Sequence, residues 1–224
     1  MLSIHFQDWG KNRPKKHYNR LHEMRIFELI FSEKLNKLGV VLRGFDTIRV
    51  YCLANPKKSV SYKEDKALEE MCIFVPDDFM SFLNSKSIEE KFQCFSSLVH
   101  SYIVPVLEKY TTLPLPILSS YIEESLAEIV KQNYETVFLI DKTPKKSPSR
   151  KKTAILKGIH RSEGFQLRCE VYNERGKRLI DQLLVTEVGN EVVYNRFLGT
   201  LRWQTENLIV VKSKSSSWIT KIYT

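Results

Sequence analysis

The hydrophobic period of the chain changes once, across residues 141–152, Asp-Lys-Thr-Pro-Lys-Lys-Ser-Pro-Ser-Arg-Lys-Lys. Before this run, apolar residues recur at steps of three and four; after it, they alternate. The run holds two prolines and six basic side chains against one acid. It places no apolar residue at helical or strand spacing, so it reads as an exposed linker or loop. Three parts follow: a helical α+β part over residues 1–140, a basic Pro/Ser linker or loop over 141–152, and an antiparallel β part over 153–224. The expected class is α+β: a mostly helical amino-terminal part with a few strands, then an antiparallel meander shaped as a curved sheet or half-barrel.

In the first part, Leu21, Met24, Phe27, Phe31, Leu35 and Leu38 predict an amphipathic helix over 17–38, with Gly39 as its C-cap glycine. Residues 40–42 and 47–53 read as a strand pair turned by Arg43-Gly-Phe-Asp46. Residues 64–73 read as a short helix, with a strand at 72–75 as the alternative. Ser87-Ile-Glu-Glu90 is a capping-box pattern opening a helix that carries Ile88, Phe92, Phe95, Val99, Tyr102 and Val106, and Pro105 should kink or end it. A further helix spans about 118–131, and 134–140 is a strand. Past the basic run, strands are expected at 153–160, 165–172, 178–188, 192–203, 208–212 and 218–223. Their short connections are those of neighbouring antiparallel strands.

The net charge of +9 is unevenly placed. Residues 1–20 carry +4, 21–140 carry −4, 141–152 carry +5 and 153–224 carry +4. Such a polarised molecule steers towards an acidic partner. No stretch approaches the roughly 18–20 apolar residues that cross a bilayer, and the amino terminus lacks a signal-peptide pattern. A cytoplasmic protein without a membrane partner is expected. The four cysteines sit singly among apolar residues and read as core.

Catalytic constellations are sparse. The five histidines show no metal-ligand spacing, and neither a glycine-rich phosphate loop nor a nucleophile elbow occurs. No cofactor, no metal and no catalytic residue are expected. A metal-dependent nuclease would have to draw on Glu170, Glu174 and Lys177, or on Glu64-Asp65-Lys66, none of which sits clearly on adjacent strands. Acid pairs such as Asp77-Asp78 read as helix first-turn residues.

Two binding readings remain. The first is a non-catalytic module that binds another protein through an acidic face, of the kind that neutralises a toxin or effector as an immunity protein. Its interface anchors would be Arg202, Trp203 and Trp218. The second is a DNA- or RNA-binding protein. Thr143-Pro-Lys-Lys and Ser147-Pro-Ser-Arg resemble the Ser/Thr-Pro-basic tetrapeptides of histone tails, and Lys145, Lys146, Arg150, Lys151 and Lys152 would meet phosphates.

Overall fold

The computed structural model describes residues 1–11 and 13–224; Asn12, part of the basic loop after Gly10, lies outside the described residues. The chain forms two compact units, Met1–Tyr134 and Glu135–Thr224. The class is α+β, as expected. Among the described residues no helix is long and apolar enough to cross a membrane.

The first unit opens with strand β1 (Ser3–Asp8), a 3-10 turn (Lys15–Arg20) and helix α1 (Arg25–Lys37), followed by strands β2 (Thr47–Cys52), β3 (Ser61–Asp65) and β4 (Glu70–Val75). The expected helix from residue 17 starts only at Arg25, because the 3-10 turn buries no residue that would extend the apolar stripe. The stripe itself is as read: Phe27, Phe31 and Leu35 are fully buried. Gly39, at φ +80°, ends the helix in a Schellman turn: its N–H meets the Asn36 carbonyl, and that of Val40 meets Leu35, both at 3.0 Å.

The sheet order is β1-β2-β4-β3. β2 is parallel to both β1 and β4, whereas β3 and β4 form an antiparallel hairpin. Two expectations are corrected here. Residues 40–42 do not pair with 47–53; they make one isolated bridge, Leu42 to Thr111. The β-branched run of β2 announced a strand, but its partner arrives by the α1 crossover that parallel pairing requires. Residues 64–73 are not a helix but the β3–β4 hairpin. The charged turn favours helix locally, yet alternating Met71, Ile73 and Val75 are buried, and burial overrides propensity. Asp65 Oδ1 accepts the N–H groups of Ala67 (3.1 Å) and Leu68 (3.2 Å) to close the turn.

The outer edge of β1 is closed by side chains of α1. Asn36 accepts the Leu2 N–H at 2.9 Å and donates to the Leu2 carbonyl at 2.7 Å, while Glu28, itself buried, accepts the Phe6 N–H at 2.8 Å.

Helices α2 (Met80–Leu83), α3 (Ile88–Leu98), α4 (Val104–Tyr110) and α5 (Leu115–Lys131) complete the unit. Ser87 caps α3, accepting the Glu90 N–H at 3.2 Å, and Glu90 reaches back to the Lys86 N–H at 2.6 Å. Between α3 and α4 the helix widens to a π turn over Val99–Ile103, where the Val104 N–H returns to the Val99 carbonyl. Pro105 has no N–H to give, and the wider turn carries the chain past it without ending the helical run.

The second unit contains β5 (Thr136–Leu139), the two-residue β6 (Lys145–Lys146), β7 (Lys152–Arg161), β8 (Gly164–Asn173), β9 (Arg178–Glu187), the short helix α6 (Glu191–Tyr194), β10 (Gly199–Thr205), β11 (Leu208–Ser213) and β12 (Ile219–Tyr223). The antiparallel order is β5-β7-β8-β9, with β6 also on β7, and a separate sheet runs β10-β11-β12. Leu156, Phe165, Leu167, Cys169 and Val171 of the larger sheet share a core with Leu201, Ile209, Val211 and Ile222 of the smaller. The expected antiparallel strands are present, divided between two sheets that face one core.

The expected strand over 192–203 begins only at Gly199. Asn190 caps α6 by accepting the Val192 N–H at 2.9 Å, and Tyr194 of that helix stacks on Phe165, with centroids 4.0 Å apart. At Gly199 a Cβ would lie 1.9 Å from the Lys212 carbonyl oxygen, so the new strand starts where only glycine fits.

Phe95 is the keystone of the amino-terminal core: its ring lies within 6.0 Å of Phe6, Phe27 and Phe31. Phe95→Ala is expected to lose about 3–5 kcal/mol of stability, measured by urea denaturation followed by far-UV circular dichroism. An unchanged midpoint would mean that this ring cluster does not carry the unit.

Candidate functional site

The basic run 141–152 is an ordered part of the second unit. β5 and β6 pair with the same strand, β7, so the intervening residues leave and rejoin one sheet edge. Asp141 and Lys142 adopt left-handed backbone conformations, φ +59° and +52°, and the Thr143–Pro144 peptide is cis. The Asp141 carboxylate accepts the Leu201 N–H at 2.8 Å and an ammonium hydrogen of Lys145. Burial pushes this carboxyl up, but Lys145 and Leu201 outweigh it and hold the pKa below the usual value. Thr143 is buried, with Oγ1 3.0 Å from the Ile140 carbonyl oxygen.

Further on, Ser147 donates its N–H to the Lys152 carbonyl and its hydroxyl to Glu206, both at 2.9 Å. The Ser149 N–H reaches the other Glu206 oxygen at 3.0 Å. The backbone N–H of Ser149 is the main reason the Glu206 carboxyl sits below its ordinary pKa, with the Ser149 and Ser147 hydroxyls adding to it. A run with no apolar spacing is therefore held by polar side chains that the period of the sequence does not reveal.

These bonds sort the five basic residues. Lys145 also donates to the Leu201 carbonyl at 3.0 Å. Lys152 Nζ is held by Thr224 Oγ1 (2.9 Å), Asn207 Oδ1 (3.0 Å) and the Glu206 carbonyl (3.3 Å). Both are structural cations. Lys146, Arg150 and Lys151 are exposed.

The three expected anchors part company too. Trp203 is half-buried against the core, and its indole N–H donates to the Lys145 carbonyl at 3.1 Å. Trp218 packs on the same core, edge-on to Phe197 at 5.7 Å. Arg202 alone of the three is exposed. Successive strand residues face opposite ways, so Arg202 points away from the core that holds Leu201 and Trp203.

The register shows what stands beside it. Arg202, Val210 and Lys221 form one row across the smaller sheet; Thr200, Lys212 and Ile219 form the next, and Leu208 and Tyr223 a third. This outer face thus carries three cations, Arg202, Lys212 and Lys221, and no acid among these residues. Tyr223 is 74% exposed and Ile219 55% exposed. Lys212, Lys221 and Tyr223 escape a sequence reading because their shared face depends on pairing between strands. The alternation within each strand was the available signal.

The nuclease constellation does not assemble. Glu170 is buried and receives Lys157 at 2.7 Å, Tyr172 at 2.9 Å and Arg178 at 3.3 Å. Burial raises its carboxyl, and Lys157 and Tyr172 bring it below the usual value. Glu174 and Lys177 lie in the turn between β8 and β9. Among the described residues no three His, Cys, Asp or Glu side chains are grouped as a metal would need. Cys169, pushed up to about 12 by burial, stays a thiol in the core.

Because the folded pKa of Glu206 is depressed, its contribution to stability is complete above the ordinary carboxylate pKa. It is lost as pH falls through the folded value. The stability difference between the wild type and Glu206→Gln should therefore be largest near neutral pH and shrink towards pH 3. Urea titrations across that range check it; a gap that stays constant would break the link between this carboxylate and the 147–149 turn. Compared with protein-family models, with curated proteins and with solved structures, the chain matches none, so its function is argued from this geometry.

Proposed function

We propose that this is a cytoplasmic nucleic-acid-binding protein whose β unit meets the phosphate backbone through the outer face of its smaller sheet. The observation that carries the reading is the segregation of charge. Lys157, Arg161, Arg168, Arg178 and Arg196 of the same unit each hold an acidic partner. Among the described residues, Arg202, Lys212 and Lys221 stand together without an ion pair and without an acid in their face. Unpaired cations of one sign repel one another, and a polyanion relieves that repulsion while releasing its own counterions. Tyr223 offers a ring on which a base can stack. Lys146, Arg150 and Lys151 extend the basic surface, since the Trp203–Lys145 and Ser149–Glu206 bonds tie their segment to the edge of this sheet.

A second reading, an immunity-type module that binds an acidic protein, draws on the same face. Arg, Tyr and an exposed Ile together are a combination found in protein interfaces. The two readings differ in salt dependence and in partner.

Fluorescence-anisotropy titration of labelled duplex DNA and single-stranded RNA at about 50 and 200 mM salt separates them. The nucleic-acid reading expects log affinity to fall linearly with log salt. The triple variant Arg202→Ala, Lys212→Ala, Lys221→Ala should weaken binding to every sequence and reduce the salt slope by roughly 2–3. No binding at the lower salt sinks the proposal and leaves the acidic-protein reading.

A further inference from the structure

We infer that the amino-terminal unit carries a second nucleic-acid surface, a stacking platform for unpaired nucleotides on the helix-free face of its four-stranded sheet. The inference deepens the nucleic-acid reading and rests on it, but its observations are separate.

The core of this unit lies on one face of the sheet. Ile4, Phe6, Ile48, Val50, Cys52, Met71, Ile73 and Val75 are buried there among residues of the helices. The intervening residues of the same strands point the other way and are only half-buried. On that opposite face the register lines up Gln7, Tyr51, Phe74 and Ser61 in one row across all four strands. Tyr51 and Phe74 stack, with centroids 5.0 Å apart and planes at 15°. Neither ring joins the core.

Trp9 continues the row. Its N–H extends the pairing to the Cys52 carbonyl at 2.9 Å, which places it beside Tyr51, and the rings meet edge to face at 5.0 Å. The indole is 58% exposed. A tryptophan indole in a fold usually buries its body and finds an acceptor for its N–H. This one is more than half exposed and, among the described residues, meets no acceptor, so an aromatic surface is left facing outward beside the stacked pair.

On the same face Arg49 is paired with Glu70 at 2.7 Å, and further cations stand around the row. Lys11 follows β1, Lys57 and Lys58 follow β2, and Lys63 stands on β3 in the same face; all four are exposed. Among the described residues none of the four holds an ion pair, whereas Lys34, Lys37 and Lys91 elsewhere in the unit are paired with Glu124, Glu33 and Glu23. The acids at this end of the sheet are already engaged. Asp8 takes Arg13 through two bonds of 2.7 and 2.9 Å, Arg13 also pairs with Asp78, and Tyr102 donates to Asp77. The Asp8–Arg13 pair sets the Arg13 guanidinium over Gly10, where a Cβ would lie 2.3 Å from it.

An exposed indole beside two half-buried rings, rimmed by lysines, complements a single strand: each base has a π face, and each phosphate a negative charge. A duplex keeps its bases stacked on one another and offers the row nothing but phosphates. The occupant is therefore an unpaired strand.

The test uses the full chain and three fluorescein-labelled probes: a single-stranded oligodeoxynucleotide, an abasic strand of the same length, and a duplex. Trp9→Ala is the principal variant because an exposed residue can be removed without opening the core; Phe74→Ala is the second. Wild type should prefer the base-bearing strand to the abasic one. Trp9→Ala should lose about 5- to 150-fold in affinity for the base-bearing strand, with abasic and duplex binding unchanged, and Trp9→Phe should recover most of the loss. Base-bearing and abasic strands bound alike, or both alanine variants binding like wild type, would overturn this inference while leaving the β-unit reading in place. Failure of wild type to bind any of the three probes would overturn both and point to a protein as the occupant of this face.

Discussion

Assembly of the carboxy-terminal unit depends on one edge of β7. Two strands, β5 and β6, hydrogen-bond to that edge in succession, and past Ile140, whose N–H still reaches the Leu156 carbonyl at 2.9 Å, the chain turns out of the ladder before β6 rejoins it. A loop in that position has to replace sheet bonds with others, because buried backbone groups left unpaired are costly. Thr143, Asp141 and Ser147 supply the replacements, and two of their partners, Leu201 and Glu206, come from β10 and the turn after it. The segment that joins the two halves of the edge therefore also ties the larger sheet to the smaller. Both the core and the basic outer face inherit their placement from it.

That arrangement explains why residues 141–152 look like a linker. Linkers and polar-pinned loops share a composition: prolines, hydroxyls, charges and no apolar period. They differ in whether distant groups meet those side chains, and Glu206 lies 59 positions from Ser147. By contrast, elements stabilised by their own period were legible. The Phe27–Phe31–Leu35 stripe, the Ser87 cap, the Gly39 stop and the alternation of β7 and β8 all appear where the residues place them. What period cannot supply is partnership. Nothing in Thr47–Cys52 says that it pairs in parallel with residues 3–8. Nothing in Arg202, Lys212 or Lys221 taken singly says that they share a face. The candidate sites are made of such relations, so Trp203, read as an anchor, lies half-buried against the core with its N–H on Lys145, while Tyr51 and Phe74 drew no notice.

The distribution of charge is more telling than its sum. An exposed ion pair contributes only about 0–1 kcal/mol, so leaving a lysine unpaired costs the fold little. Unpaired cations gathered in one place are thus not explained by stability. In the second unit Arg202, Lys212 and Lys221 share a face with exposed Tyr223, and in the first Lys11, Lys57, Lys58 and Lys63 surround the face that bears Trp9, where Arg49 is already taken by Glu70. The mildly acidic balance of residues 21–140 conceals this, because many of the acids that offset the lysines lie on the helices, beside Lys34, Lys37 and Lys91.

Asn36 and Glu28 have one more consequence. By offering β1 a side-chain donor and acceptor where a neighbouring strand would stand, α1 acts as the last rung of the sheet. An exposed strand edge is a template for a second chain, and this one is withdrawn. At the other margin stands β3, five residues long and bearing Lys63, Glu64 and Asp65, a poor surface for strand addition. A sheet guarded at both margins can leave one broad face uncovered without growing into a larger assembly, and in a crowded cell that keeps an aromatic surface free for another kind of molecule.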